Sequence, residues 1–130
     1  MQTADPTPST TRHLIVRLGA SEYGIDVMKI GEITATQAIT AVPSMPRAMK
    51  GVINLHGKVV SVVDLRTKLG MEETSATART SLVMVQTHQD RTVALVVDEV
   101  VEVLRLAEDG ARTVLDIDMV LGGEDERRSK

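Results

Sequence analysis

The sequence predicts a mainly β protein of one domain, and three observations carry that expectation. The apolar residues fall in short runs rich in valine and isoleucine, whose branching at Cβ suits a pleated strand better than a helix. The chain has 130 residues, 42% of them apolar, which matches one compact core and leaves little room for a second. Two aliphatic arms, Leu82 to Thr87 and Thr92 to Val97, flank the polar run His88-Gln89-Asp90-Arg91, the pattern of a β-hairpin.

Taken in chain order, residues 1–11 hold Pro6, Pro8 and a Ser9-Thr10-Thr11 run with almost no apolar residue, so they read as a disordered N-terminal tail. The ordered domain is expected over residues 12–121. Strands are expected at His13 to Leu18, Glu22 to Val27, Ala38 to Val42, Val59 to Val63, Leu82 to Thr87, Thr92 to Val97 and Val100 to Leu106. Their spacing fits small barrels or a sandwich. Two short helices are placed by punctuation: Ser44 with Pro46 before Gly51, and Asp64 before Gly70 around Leu65 to Leu69. Residues Val96 to Leu104 would also line one face of a helix, but their valine content favours a strand. Residues 122–130, after the closing apolar run, read as a disordered C-terminal tail.

Composition excludes several classes of function. The formal charge of −3 gives no basic excess for a phosphate backbone, and Tyr23 is the only aromatic residue, so a base-stacking surface is excluded. Zero cysteines remove disulfides, thiolate catalysis and Cys-ligated metals. No run approaches the roughly 18 apolar residues of a membrane helix, and the N-terminus lacks a secretory profile, so a cytoplasmic location is expected.

The residues that could carry chemistry are few. His13, His56 and His88 lie far apart, without the spacing of a zinc hydrolase, and there is no phosphate-binding glycine loop. Asp116 and Asp118 lead into Met119-Val120-Leu121 rather than oxygen ligands, so they read as loop carboxylates. Asp98, Glu99 and Glu102 form an acidic cluster that would suit a small carboxylate hydrolase, yet nothing beside them would fix a substrate, and a charged rim is the simpler reading. Met28, Met45, Met49 and Met84 read as flexible core filler, although methionine surfaces also suit helix-binding grooves. No cofactor and no metal site is expected, and the chain does not read as an enzyme.

The run from Glu22 to Ile33, then Pro43, Pro46 and Gly51-Val52-Ile53-Asn54-Leu55-His56-Gly57, resembles the CheW-like family of chemotaxis coupling proteins. Val59 to Arg66, Leu69-Gly70, Ala94 to Val100 and the closing Val114 to Leu121 continue the same order of motifs. The resemblance implies two small SH3-like five-stranded β-barrels and a non-catalytic adaptor in signal transduction. Its partners would be a CheA-type histidine kinase and the cytoplasmic tip of methyl-accepting chemoreceptors, with no nucleic acid and no membrane insertion. It places partner contacts at Ile30, Glu32, Ile33, Asn54, His56 and Val59.

Three departures from the family pattern stand out. His56 stands where an arginine is usual, opposite Glu32, and Ser61 stands where a proline is usual. A histidine changes charge in the physiological range, so a contact with Glu32 would be a full ion pair only when the ring is protonated. The third departure is the short passage from Leu106 to Thr113, where the family places several more elements. One barrel, expected in the second part of the chain, would then be incomplete. The open Leu82 to Leu106 sheet would favour a homodimer, or a reduced module that binds a single partner or acts as a decoy.

Overall fold

The structure is a computed structural model that describes residues 10–88, 90–107 and 113–121. The expected tails at residues 1–9 and 122–130 lie outside the described residues. Strand β1 runs Thr10–Leu18, so Thr10 and Thr11 belong to the first strand. It is followed by β2 (Ser21–Asp26), a 3-10 turn at Val27–Lys29, β3 (Ile30–Ala35), β4 (Met49–Leu55) and β5 (Lys58–Asp64). The helix α1 (Leu65–Lys68) leads on to β6 (Ser81–Gln86), β7 (Thr92–Val97), β8 (Glu99–Ala107) and β9 (Thr113–Leu115), and residues 117–121 close with a helical turn.

These strands form two sheets. One has four strands in the order β8-β1-β2-β9, and the other has five in the order β3-β6-β7-β5-β4. The five-stranded sheet explains the continuous apolar runs, because it is buried on both faces. Val83, Val85, Val93, Leu95 and Val97 face the four-stranded sheet, where they meet Leu14, Val16, Leu18 and Ile25. Leu82, Met84 and Ala94 point the other way, to a second cluster with Ile53, Val60 and Val62 inside the curl of the sheet. Period-two alternation divides one strand between two cores. Leu115, Ile117 and Leu121 from the closing segment fill the core between the sheets.

The expected β6–β7 hairpin is present and antiparallel, from Ser81↔Val97 to Gln86↔Thr92. The helix expected after Asp64 is also present, with the Asp64 carboxylate accepting from the Arg66 N–H at 3.0 Å. The 96–104 segment is strand, broken at Asp98.

Four expectations are corrected. No helix forms between Ser44 and Gly51. Ser44 adopts a φ of +65°, and Met49 opens β4. Gly51 is not a helix stop but a point of close approach, since the Thr40 carbonyl packs where its Cβ would stand. That approach is the single bridge Thr40↔Val52, which is all the pairing the expected 38–42 strand makes. Met28 is 86% exposed rather than core, whereas Met49 and Met84 are buried. Finally, the sheet with fewer strands is the one that carries the first strands, β1 and β2, together with β8 and β9. The strands β6 and β7 lie inside the five-stranded sheet, so of the three strands between Ser81 and Ala107 only β8 is a sheet edge.

Candidate functional site

The β4–β5 hairpin positions the most distinctive group of predicted residues. Leu55 pairs with Lys58, leaving His56 and Gly57 as a two-residue turn with φ of +54° and +86°. Positive φ at both positions is the type I′ geometry, whose twist matches the flanking strands. Histidine tolerates this region better than most residues, and glycine adopts it freely. The Asn54 carboxamide accepts from the Gly57 N–H at 3.0 Å, so Asn54 shapes the turn.

The turn holds His56 out to meet Glu32. Its Nε2 lies 3.1 Å from Oε1 and 3.2 Å from Oε2 of Glu32. Glu32 stands on β3, and β3 and β4 are opposite edges of the five-stranded sheet. The contact therefore spans the mouth of the curled sheet. Behind it is a cleft of about 340 Å³ with Leu55, Val60, Met84 and Val85 in its wall and Glu32, His56 and Lys58 at its rim.

Of the other predicted residues, Val59 is 74% exposed beside buried Val60, the two faces of one strand. It is paired across the ladder with Asn54. Ile33 is 43% exposed. Ile30 is partly buried and packs against the inter-sheet core, away from an open surface. Of the cleft residues, Met84 is the buried core filler expected from sequence, while Leu55 and Lys58 are not among the expected partner contacts. The hairpin turn was the available signal, because it fixes which strand ends flank the mouth.

The acidic cluster is taken up by ion pairs. Arg66 on α1 donates Nη2 to Asp98 at 2.7 Å and Nε at 2.9 Å, and the Gly19 N–H donates to the same carboxylate at 2.7 Å. The Arg66 hydrogen bond, with the Gly19 N–H helping, holds the Asp98 carboxyl below its ordinary range, against the effect of burial. Arg17 bridges Glu99 at 2.7 Å and Glu22 at 2.8 Å. These contacts tie α1 and β8 to the β1–β2 turn. Glu102 is exposed on β8.

At the other end of the molecule, Asp118 accepts from Lys29 Nζ at 2.9 Å and from the His88 backbone and ring. The Lys29 hydrogen bond is the main reason its carboxyl is lowered to about 2. Asp116 accepts from the Met119 N–H and caps the closing helical turn. Among the described residues no three His, Asp or Glu side chains are grouped to hold a metal ion. Among the described residues no helix is long and apolar enough to cross a membrane.

A curled sheet presenting a polar-rimmed apolar cleft defines a small β-barrel interaction domain. The CheW-like domain model matches residues 12–122, and the chain belongs to that family. It is 36% identical over 111 residues to the chemotaxis protein CheW of Klebsiella aerogenes, covering 85% of this chain and 66% of that protein. A probable chemotaxis protein CheW of Rhizobium etli is 36% identical over 99 residues, covering 75% of this chain and 63% of that protein. The crystal structure of the scaffolding protein TtCheW from Thermoanaerobacter tengcongensis superimposes with a TM-score of 0.73 at 27% identity, over 78% of this chain and 68% of that one. The chain thus spans about two thirds of the length of the relatives it matches.

Proposed function

We propose that this protein is a non-catalytic cytoplasmic adaptor of chemotaxis that couples the tips of methyl-accepting chemoreceptors to a CheA-type histidine kinase. The observation that carries the reading is the family match, which runs through both sheets from residue 12 to residue 122. The Glu32–His56 contact and the exposed Val59 supply the kind of surface the role needs, an apolar patch with a polar rim. In this reading Glu32, Ile33, Asn54, His56 and Val59 are the partner-contacting residues, and Ile30 supports them from the core side.

A second reading, a module that binds one partner or acts as a decoy, is favoured by the four-stranded sheet. Its edge strand β8 has no strand on its outer side among the described residues, an arrangement that also favours a homodimer. Size-exclusion binding to a kinase regulatory domain and to a receptor-tip fragment separates the two: the adaptor forms a ternary complex, whereas the decoy binds one partner and displaces the other. Val59→Asp is expected to weaken kinase-domain binding while leaving the unfolding temperature within about 2 °C, because a surface substitution changes stability little. Loss of folding in that variant, or undiminished binding, would remove Val59 from the interface.

A further inference from the structure

The mouth of the five-stranded sheet combines an apolar wall with a rim whose charge depends on one ring. No ladder joins β3 to β4, so the Glu32–His56 contact links these two edges through side chains. The ring Nε2 sits 3.1 Å and 3.2 Å from the two carboxylate oxygens, within reach of both at once. The His56 side chain is 73% exposed and that of Glu32 is 37% exposed, so solvent protons and a partner can both reach the pair. The turn at His56-Gly57 fixes the backbone beneath the ring.

The groups around the ring can be named element by element. Glu32 comes from β3, and Lys58 comes from β5. Gln86 of β6 and Thr92 of β7 are uncharged, and Asp90, in the turn between those strands, is engaged by the Gln86 amide at 3.2 Å. On β4, the Asn54 carboxamide is spent on the Gly57 N–H. An imidazole protonates at about pH 6.5, whereas a carboxylate and an ammonium keep their charges between pH 6 and pH 8. With the ring neutral, Glu32 and Lys58 balance. With the ring charged, a charge-assisted bond neutralises the carboxylate and the rim becomes net positive through Lys58. The other two histidines lie elsewhere, since the His88 ring engages Asp118 and His13 lines the cleft beside the closing segment.

The wall sets the other half of the chemistry. Leu55, Val60 and Met84 offer aliphatic and thioether surface in a space of about 340 Å³, room for a side chain. Tyr23, the one aromatic residue, packs against the inter-sheet core instead, so nothing in the wall stacks on a ring. Such a wall selects an aliphatic side chain, and a net positive rim selects a carboxylate beside it.

We infer that the cleft docks an aliphatic side chain of a protein segment that carries a carboxylate next to it, and that protonation of His56 strengthens the docking. The inference rests on the adaptor reading for the role of this end of the molecule, and it adds the chemistry of the segment bound there and its dependence on pH. The sign follows from linkage. An acidic segment favours the protonated ring, so affinity is greatest at acidic pH and falls as rising pH removes the proton.

The test uses the full chain and two labelled amphipathic peptides, one with a central leucine flanked by glutamates and the same peptide with glutamines in their place. In anisotropy titrations at one ionic strength, the glutamate peptide should bind about fivefold more tightly at pH 6 than at pH 8, as for one added charge contact at an exposed rim. The glutamine peptide should show a ratio near one. In His56→Gln the ratio for the glutamate peptide should fall to about one. His56→Arg should also be flat with pH, but at pH 8 it should bind at least as tightly as the native protein does at pH 6. Lys58→Gln should weaken the glutamate peptide at both pH values and keep the ratio. Amide resonance shifts should centre on residues 31–33, 55–60 and 84–86. A ratio that survives in His56→Gln, an equal response of the two peptides to pH, or no binding at millimolar peptide would each overturn the proposal. Size-exclusion binding of a kinase regulatory domain and a receptor-tip fragment at pH 7 judges the adaptor reading separately. Both complexes formed alongside a flat peptide ratio overturn the docking proposal alone, whereas a His56-dependent ratio without either complex supports it and overturns the adaptor reading.

Discussion

Removing the Asp98 carboxylate should loosen the junction between the two sheets, and the size of the effect follows from its contacts. Asp98 stands between β7 and β8, in opposite sheets, and binds Arg66 through two nitrogens and the Gly19 N–H. The side chains of Arg66 and Asp98 are 17% and 25% exposed, so both are largely withdrawn from water. In Asp98→Ala the guanidinium loses its counter-charge and the Gly19 N–H loses its acceptor. Breaking a fully buried pair costs about 3–5 kcal/mol, and partial exposure lowers that here to about 2–3 kcal/mol. Asp98→Asn keeps the shape and an acceptor for Gly19, so it should cost about half as much. The pH dependence has a definite sign. The folded carboxyl is lowered, chiefly by the Arg66 hydrogen bond, so its contribution is present above the unfolded value of about 3.9 and is lost as pH falls through the lower folded value. Urea unfolding at pH 7 and at pH 3 measures this. The gap between the native protein and Asp98→Asn should narrow at pH 3, and an Arg66→Ala, Asp98→Ala double-mutant cycle should return a favourable coupling energy. An Asp98→Ala protein within about 0.5 kcal/mol of the native one at pH 7 would refute the reasoning, placing the pair among surface contacts of no consequence.

Two other outcomes are expected. Gly51→Ala should destabilise by about 3 kcal/mol or more in chemical unfolding, because the new Cβ enters the space of the Thr40 carbonyl at a φ of +144°; a neutral result would show that the 38–42 segment moves freely away from β4. Asp118→Asn should remove an acid-sensitive contribution, since a carboxyl lowered to about 2 stabilises above the ordinary carboxylate range and loses that effect as pH falls towards 2. Comparing the two proteins by thermal unfolding at pH 6 and pH 2.5 should show their difference shrinking at the lower pH, and a constant difference would contradict the role of the Lys29 contact.

Much of the fold was legible because burial leaves a pattern in sequence. The Leu82–Val97 hairpin could be read from two aliphatic arms and a polar turn, and the α1 start from the capping role of Asp64. Where one residue type serves two conformations, the reading failed. Gly51 suits a helix stop and a strand that another backbone approaches, and only the position of Thr40 distinguishes them. Strand β3 reads poorly because half of its residues are exposed and it lies at a sheet edge, where alternation is the only mark. Met28 follows the same rule, since an apolar side chain beside a turn is apolar whether or not anything covers it.

By itself the sequence determined the class of structure, the absence of cysteine chemistry and the motif order that places the chain among CheW-like domains. Those properties depend on residue type and local spacing, which survive in one dimension. The tertiary structure decided which distant residues share a site. Glu32 and His56 are 24 residues apart and meet because the five-stranded sheet curls until its edges approach. His13 and Asp116 line one cleft because β9 runs alongside β2 and carries the closing turn across it. Side-chain contacts of this kind are set by strand order and sheet curvature, and these follow from the packing of the whole core rather than from any segment of it.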